Sequence, residues 1–396
     1  MSKKIILKPR REESLKRFHP WIFSGAIAKY VGKPEEGEVI DVFTSDNDFI
    51  ARGHYQTGSI TCRILTFEDE QIDKKFWHKR ISDAYCLRQK LGLANNNQTT
   101  AYRLIHGEGD MLPGLIIDIY GQTAVIQAHS TGMFSQRNVI CETLSEVFDK
   151  KLTSIFDKSS ATIPFKEDLN VKDEYLFGGK TEKEEIVFEY GNKFLINYEE
   201  GQKTGFFLDQ RENRKLLEKY TKDKSVLNMF CYTGGFSVSA LRGGANLVHS
   251  VDSSQKAIDL TLKNIKINFD ENANHQAFTD DAISFLRNCE ENIYNVIILD
   301  PPAFAKHNSA QKNALQAYKR LNLTAIRKIK PKGILFTFSC SQAIDKVNFR
   351  NAIFSAATIS GRNVRILHQL TQPADHPINI YHPEGEYLKG FVLYVE

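Results

Sequence analysis

The chain has 396 residues, of which 41% are hydrophobic and 25% charged, and its formal net charge is +4. This length exceeds one ordinary domain, so we expect two or three. The composition is that of a globular protein, and the absence of any uncharged apolar window of about 18 residues argues against a membrane-spanning helix. The N-terminus lacks the apolar core of a signal peptide, and the six cysteines form neither a CxxC pair nor a Cys/His cluster. We therefore expect no metal site, no disulfide framework and a cytoplasmic location.

Positive charge is concentrated in two stretches of the sequence. Residues 1–17 hold seven Lys and Arg against two Glu, and residues 301–332 hold eight Lys and Arg without an acid. Such clusters in an otherwise balanced chain are typical of proteins that bind a polyanion. Solvated helix faces and a loose terminus would give the same pattern.

Short strands separated by turn signals predict a small β domain at the N-terminus. The strands are KIILKP, GEVIDVFT, FIARGHYQ and ITCRILTF. Between the first two lie Trp21 and Phe23, which we interpret as core residues, with a base-stacking surface as the alternative. A helix predicted over 73–93, another near 135–150, and strands near 153–165 and 186–198 indicate a central α+β region.

From about residue 221 predicted strands alternate with predicted helices. The strands are SVLNMF, NLVHSVD, QAFT, NVIIL and GILFTFS, and the segments between the first four have helical spacing. This alternation predicts an α/β fold with a parallel, doubly wound sheet. In such sheets ligands bind beyond the carboxyl ends of the strands.

Each of these strands is followed by a polar or conformationally unusual residue. In strand order these are Asn228 with Thr233 and Gly234, then Asp252, Asp281, Asp300 and Cys340. A glycine turn followed by a carboxylate is typical of a nucleoside site, because glycine admits the ligand and the acid accepts hydrogen bonds from ribose. The missing G-x-G-x-x-G pattern disfavours a dinucleotide, and with it a dehydrogenase. S-adenosylmethionine, which has a ribose and an adenine but no phosphate, fits better.

For this cofactor we expect Asp252 to bind the ribose, Asp281 the adenine amino group, and the backbone of 228–234 the methionine part. The predicted cofactor-binding residues are Asn228, Phe230, Tyr232, Thr233, Gly234, Asp252, Ser253, Asp281 and Asp300. An Asp at a strand end can equally cap the next helix. The DPP segment is more specific, because two prolines fix a kink that would hold Asp300 and Phe304 at the cleft.

The chain resembles the bacterial ribosomal large-subunit RNA cytosine-5 methyltransferase I family over essentially its whole length. The resemblance is carried by TGFFLDQRENR, NMFCYTGGFSVSAL, ILDPPAFAK, TFSCS and ADHPINIYHPEGEYLKGF, and upstream by HPWIFSGAI and RLIHGEGDMLPGLIIDIY. It implies a PUA RNA-binding domain over 1–72, a small central α+β domain over 73–190 and a class I, seven-stranded, Rossmann-like methyltransferase domain over 191–396.

The resemblance also implies S-adenosylmethionine-dependent methylation of C5 of a cytosine in 23S ribosomal RNA. We expect free or early-assembly 23S RNA as the partner and no membrane, and the oligomeric state stays open between a monomer and a homodimer. In this family the cysteine of the SCS motif is the nucleophile, which maps onto Cys340, and the DPP acid maps onto Asp300. The family often has lysine where this chain has Ala303, and arginine where it has Lys158.

A thiolate is needed because cytosine C5 is a poor nucleophile until a thiolate adds at C6. Nearby cations such as Lys306 would favour the thiolate, and RNA binding is an equal role for them. The expected substrate-binding residues are Phe304, Lys306, Phe207 and Arg211. The sequence does not identify the base that removes the C5 proton.

Two other functions are compatible with the sequence. A [DN]PP-aromatic motif also serves methylation of amino groups of guanine or adenine, which needs no cysteine. An RNA-binding assembly factor with a relic cofactor site is the alternative from another class of protein.

Overall fold

The structure is a computed structural model that describes residues 3–164, 171–179, 185–269, 273–305 and 307–396. The chain divides into two compact units, which are described separately. Unit 1 comprises Met1–Val187, Ile196–Phe206 and Ala374–Gly385, and unit 2 comprises Phe188–Leu195, Phe207–Pro373 and Glu386–Glu396. Within the described ranges, no helix combines the length and apolarity that a membrane crossing requires.

A six-stranded sheet forms the N-terminal part of unit 1. Its elements are β1 (Lys4–Leu7), α1 (Glu13–Lys16), β2 (Trp21–Phe23), β3 (Ile27–Val31), β4 (Val39–Phe43), β5 (Phe49–Tyr55) and β6 (Ile60–Thr66). The strand order is β2-β6-β5-β4-β1-β3, with β1 parallel to β4. Its core is apolar and includes Ile5, Val42 and Ala51.

The prediction that Trp21 and Phe23 are core residues is wrong. The side chain of Phe23 is 46% exposed and Trp21 is only partly buried, whereas Ile22 between them is 3% exposed. The reason is that β2 lies at the edge of the sheet, where successive side chains point to opposite faces. Burying Ile22 therefore turns both aromatic neighbours outward.

A second sheet completes unit 1. Its elements are α2 (Lys74–Lys90), β7 (Ala101–His106), β8 (Leu115–Tyr120), β9 (Thr123–Ala128), α3 (Thr131–Ser135), α4 (Arg137–Val147), β10 (Ser154–Asp157) and β11 (Glu174–Phe177). The strand order is β11-β10-β9-β8-β7. The α2 helix confirms the predicted helix over 73–93, and it begins where Asp73 accepts hydrogen bonds from the Lys75 and Phe76 amides.

A buried ion pair joins α2 to the loop after β7. The wholly buried guanidinium of Arg88 donates to both carboxylate oxygens of Asp110, at 2.5 and 2.7 Å. It also donates to the carbonyls of Arg103 and Asp375. The side chain of Asp375 in turn accepts from the Arg103 amide at 2.9 Å, so residues 374–385 are held within unit 1.

A short hairpin, β12 (Glu185–Glu189) and β13 (Asn192–Ile196), precedes the main sheet of unit 2. The strands of that sheet are β14 (Ser225–Met229), β15 (Leu247–Asp252), β16 (His275–Thr279), β17 (Val296–Leu299), β18 (Gly333–Ser339), β19 (Val364–Leu370) and β20 (Lys389–Val395). The helices are α5 (Arg211–Leu217), α6 (Gly235–Arg242), α7 (Gln255–Lys266), α8 (Ala282–Asn288), α9 (Gln311–Lys328) and α10 (Lys346–Ser360).

The seven strands of unit 2 lie in the order β16-β15-β14-β17-β18-β20-β19. Neighbours from β16 to β18 are parallel, and β20 is antiparallel to both β18 and β19. The predicted doubly wound α/β sheet is confirmed. Because the strand order reverses between β14 and β17, the crevice for a ligand opens at the carboxyl ends of these two strands.

Candidate active site

The loop after β14 has a strained backbone. Phe230, Tyr232 and Gly234 have left-handed φ angles of 58°, 48° and 78°. This conformation costs a residue with a Cβ about 1–2 kcal/mol, so specific contacts must hold it. The Tyr232 amide donates to Asp252 Oδ2 at 3.0 Å, and the Thr261 hydroxyl donates to the Tyr232 carbonyl at 2.9 Å. The loop is thereby fixed against the end of β15 and the middle of α7.

Two predicted cofactor ligands also serve the local backbone. Asp252 Oδ1 accepts from the Ser254 amide at 3.0 Å, and Ser253 between them is exposed. Asp281 accepts from the Ser284 amide at 2.8 Å as the N-cap of α8, and these backbone hydrogen bonds lower the pKa of its carboxyl. The capping role considered for such residues is therefore present at Asp281. Its carboxylate is nevertheless exposed, at the same edge of the sheet as Asp252.

Buried hydrogen bonds hold Asn228, at the end of β14, and Thr233, in the loop. Asn228 Nδ2 donates to Ser237 Oγ at 2.8 Å, and Asn264 Nδ2 donates to the Thr233 carbonyl at 2.9 Å. Both side chains are buried, with 1% and 2% of their surface exposed. A cofactor would therefore meet the backbone here, with the carboxylates of Asp252 and Asp281 as acceptors. This set of groups fits a nucleoside with hydroxyl and amino donors and no phosphate.

The structure brings Cys340 to the DPP loop. Cys340 follows β18 directly, is partly exposed, and its Sγ lies 4.0 Å from the Pro301 carbonyl oxygen. Asp300 Oδ1 accepts from Gln210 Nε2 at 3.0 Å, and Gln210 Oε1 accepts from Asn213 Nδ2 at 2.6 Å. A thiol and a carboxylate with an oriented hydrogen-bond donor therefore lie at the carboxyl ends of adjacent strands.

The two serines that flank Cys340 fix its position. Ser341 is buried, and its Oγ accepts from the Ala305 amide at 3.2 Å. Ser339 Oγ donates to the Tyr318 hydroxyl at 3.0 Å. The Tyr318 ring lies 4.7 Å from the ring of Phe304, between ring centroids. The SCS motif thus ties the end of β18 to the DPP loop and to α9, and it holds Phe304 against Tyr318.

Lys389 was missed by sequence reasoning. Its side chain is buried, and its Nζ donates to the Ser341 carbonyl at 2.7 Å, one residue from Cys340. Burial lowers the pKa of Lys389 to about 8, and Cys340 is the first of the groups that oppose this shift. Its position in the segment EGEYLKGF, which carries the family resemblance, was the signal that could have identified it.

Two other cysteines, Cys231 and Cys141, are poor nucleophiles because burial raises the pKa of their thiols. Burial raises the pKa of the Cys231 thiol to about 12, and the neighbouring Asp252 adds to this effect. Burial likewise raises the pKa of Cys141 to about 11. These thiols are protonated at neutral pH, in contrast to what a nucleophile requires.

The remaining predicted substrate residues do not form one group. The Phe207 ring lies 5.0 Å from that of Tyr232 and nearly perpendicular to it, so it packs against the loop after β14, which we call the cofactor loop (residues 230–234). Arg211 is 1% exposed, and its Nε donates to Glu212 at 3.2 Å. Lys306 lies outside the described residues.

Comparisons with known proteins identify the family of the chain. Residues 164–377 match a family model described as S-adenosylmethionine-dependent methyltransferase, and residues 5–67 match a PUA-like domain. The chain is 40% identical to Ribosomal RNA large subunit methyltransferase I of Aeromonas hydrophila, with 99% of each chain covered. It is 39% identical to the protein of the same name from Klebsiella pneumoniae, covering 99% of this chain and 98% of that one.

Solved structures show the same fold over the full chain. A protein of Streptococcus mutans described as a SAM-dependent methyltransferase matches with a TM-score of 0.84 and 23% identity, covering 100% of both chains. A methyltransferase structure complexed with SAH matches with a TM-score of 0.85 and 24% identity, again over 100% of both chains. From its relatives and the family model we conclude that the chain belongs to the ribosomal RNA large subunit methyltransferase I family, whose cofactor is S-adenosylmethionine.

Proposed function

We propose that the protein methylates C5 of a cytosine in 23S ribosomal RNA through a covalent bond between Cys340 and C6 of the base. The observation that carries the proposal is the approach of Cys340 to the Asp300–Pro301 loop at the edge of the sheet where the cofactor loop lies. The name of the relatives supports large-subunit ribosomal RNA as the substrate, and free or early-assembly RNA remains our expectation. The PUA-like match and the basic residues 1–17 support RNA binding.

Cys340 acts as the nucleophile in the proposed reaction. Its thiolate adds to C6, and the electron pair of the C5–C6 double bond becomes available at C5. S-adenosylmethionine, when bound, would supply the electrophilic methyl group to C5 and leave as S-adenosylhomocysteine. A base then takes the C5 proton, the C5–C6 double bond forms again and the bond between C6 and Cys340 breaks, so the enzyme ends as it began. The base must leave its stack to reach the thiol.

Two neighbours assist Cys340 in this scheme. Asp300, oriented by Gln210 and carrying a proton, donates a hydrogen bond to N3 of the cytosine and stabilises the negative charge that develops in the ring. The ammonium of Lys389 lies near the thiol and favours its ionised form, because a thiolate is stabilised by nearby positive charge. We also propose a cytoplasmic setting, because the name of the relatives assigns them to ribosomal RNA.

The test is methylation of unmodified 23S RNA by the purified protein, with 5-methylcytosine mapped by mass spectrometry. We expect Cys340→Ala to abolish 5-methylcytosine and to retain S-adenosylmethionine binding. The matched control is Cys289→Ala, a partly buried thiol of the same unit that follows α8 and should leave activity unchanged. RNA containing 5-fluorocytidine should form a stable covalent complex with the wild type and none with Cys340→Ala.

The alternative, methylation of a base amino group, makes the opposite prediction. It requires no thiol, so Cys340→Ala would retain methyl transfer and the modified nucleoside would be a methylated guanosine or adenosine. Either result would overturn the proposed cytosine chemistry. Unchanged RNA with the wild-type enzyme would favour the non-catalytic assembly factor.

A further inference from the structure

Unit 1 carries a cluster of aromatic and histidine rings at its surface. We name the cluster the aromatic surface, and its members are Phe18, His19, Trp21, Phe23, Tyr381 and His382. The rings of Phe18 and Tyr381 lie 5.2 Å apart, and those of Trp21 and His382 lie 4.3 Å apart, between centroids. His19 lies 6.1 Å from Phe23 and 5.7 Å from His382. The rings therefore form two neighbouring sets, one of Phe18 with Tyr381 and one of His19, Trp21, Phe23 and His382.

The aromatic surface is held in place from below. The Trp21 indole donates to Glu108 Oε1 at 2.8 Å. The turn that carries Tyr381 is fixed by Asn379, whose side chain accepts from the Tyr381 amide at 3.0 Å and donates to the Glu108 carbonyl at 3.2 Å. The Trp21 ring and the backbone that carries Tyr381 are therefore held in place before any partner binds, which lowers the entropy that binding costs.

Its outer rings are exposed to an unusual degree for large apolar side chains. Phe18 and Phe23 are each 46% exposed, Tyr381 is 47% exposed, and the neighbouring Ile380 is 85% exposed. Exposed apolar residues are ordinary when scattered, but rings gathered from two segments that contact each other, 18–23 and 381–382, indicate a binding surface.

Positive charge adjoins the aromatic surface. Arg17 directly precedes Phe18, and the Lys8 ammonium donates to the Gly25 carbonyl two residues after Phe23. Within the described part of the chain, Arg10, Arg11 and Arg17 form no ion pair and are exposed. Glu384 contributes a negative charge 4.0 Å from His19, although its side chain is 52% exposed and screened by solvent. Flat rings beside the unpaired Arg17, with the further exposed arginines Arg10 and Arg11 in the same N-terminal segment, complement a partner that is both aromatic and anionic.

We propose that the aromatic surface stacks unpaired nucleotides of the RNA substrate, while the adjoining arginines contact the phosphates. The proposal rests on RNA as the substrate and adds that the bound segment is single-stranded. Bases in a duplex are already stacked on each other and cannot offer their faces to Phe23 or Tyr381, whereas unpaired bases can. A protein partner would use the rings but has no general need for the unpaired arginines.

The test measures affinity of the full chain for a labelled single-stranded RNA and for a duplex of equal length, without methyl donor. We expect Phe23→Ala and Tyr381→Ala each to weaken single-strand binding by roughly five- to 100-fold, the range for loss of one stacked base. Duplex affinity should change by less than about twofold, because phosphate contacts persist. Phe23→Trp should restore single-strand binding, since a larger ring stacks as well.

A matched control and a direct readout complete the design. Phe354→Ala removes an exposed phenylalanine from α10 in unit 2, 69% exposed, and should leave RNA affinity unchanged. In a Trp77→Phe background Trp21 is the remaining tryptophan, so stacked bases should quench the intrinsic fluorescence. Quenching by single-stranded RNA and not by duplex supports the proposal.

Two results would overturn it: wild-type single-strand affinity in Phe23→Ala and Tyr381→Ala, or equal losses for duplex and single strand. Because the assay contains no methyl donor, its result does not depend on methyl transfer at Cys340. A negative stacking result would therefore not contradict cytosine methylation, and a negative methylation result would not contradict stacking.

Discussion

Gly234→Ala tests whether the strained loop after β14 holds the cofactor. Gly234 has φ +78°, and a Cβ placed on it would lie 2.7 Å from Thr261 Cγ2. The left-handed backbone costs an alanine about 1–2 kcal/mol, and forcing Thr261 aside adds about 1–3 kcal/mol of overpacking. We expect the free energy of unfolding to fall by about 2–5 kcal/mol. Because the Thr261 hydroxyl also holds the Tyr232 carbonyl at 2.9 Å, S-adenosylmethionine affinity should fall at least roughly tenfold.

Two further variants separate these effects, with stability measured by urea unfolding and affinity by titration calorimetry. Gly361→Ala has the same backbone cost, at φ +73°, but its Cβ meets nothing within 4 Å. It should lose about 1–2 kcal/mol and keep full cofactor affinity. Thr261→Ser, added to Gly234→Ala, removes the clashing methyl and retains the hydroxyl, so it should recover part of both losses. The reasoning is refuted if Gly234→Ala costs no more than Gly361→Ala or binds the cofactor as tightly as the wild type.

Two other variants test buried charges. In Lys389→Met, iodoacetamide should alkylate Cys340 roughly tenfold more slowly at neutral pH, the effect of losing about 1.4 kcal/mol of thiolate stabilisation; an unchanged rate would remove Lys389 from the mechanism. The pKa of Lys389 is lowered to about 8 from its ordinary 10.5, so its charge destabilises the folded state fully below pH 8 and less as pH rises toward 10.5. The free energy of unfolding of the wild type should therefore increase relative to that of Lys389→Met between pH 8 and 10.5, as measured by urea unfolding. Arg88→Met leaves Asp110 buried without its partner and should cost about 3–5 kcal/mol in urea unfolding, whereas a loss below 1 kcal/mol would contradict the assignment of a buried pair.

Much of the site could be predicted because its chemistry is local. The glycine loop, Asp252, Asp300 and Cys340 each follow a strand of strong apolar pattern, and parallel strands bring their carboxyl ends to one edge. The β2 strand shows the limit of such patterns. Trp21 and Phe23 look like core residues until the sheet order places them at an edge, with Ile22 facing inward.

Long-range contacts are the part that sequence patterns do not contain. Lys389 reaches the Ser341 carbonyl because β20 inserts antiparallel beside β18, pairing Lys389 with Ser339. The spacing of apolar and polar residues along the sequence does not predict that pairing. Residues 374–385 likewise pack with unit 1, through Asp375, although they lie between two strands of the unit 2 sheet in the chain.

By itself the sequence determined the α/β class, the parallel sheet and the residues at its strand ends, since periodicity and turn chemistry act over a few residues. The strand-end residues also indicated the cofactor, and family resemblance added the proposed nucleophile. The tertiary structure alone decided which side chains lie close together. It brings Cys340 to the Asp300 loop, Lys389 to the SCS motif, and residues 18–23 to residues 381–382 in the aromatic surface. The physical reason is that long-range side-chain contacts depend on strand order and register, which are set by packing across the whole unit.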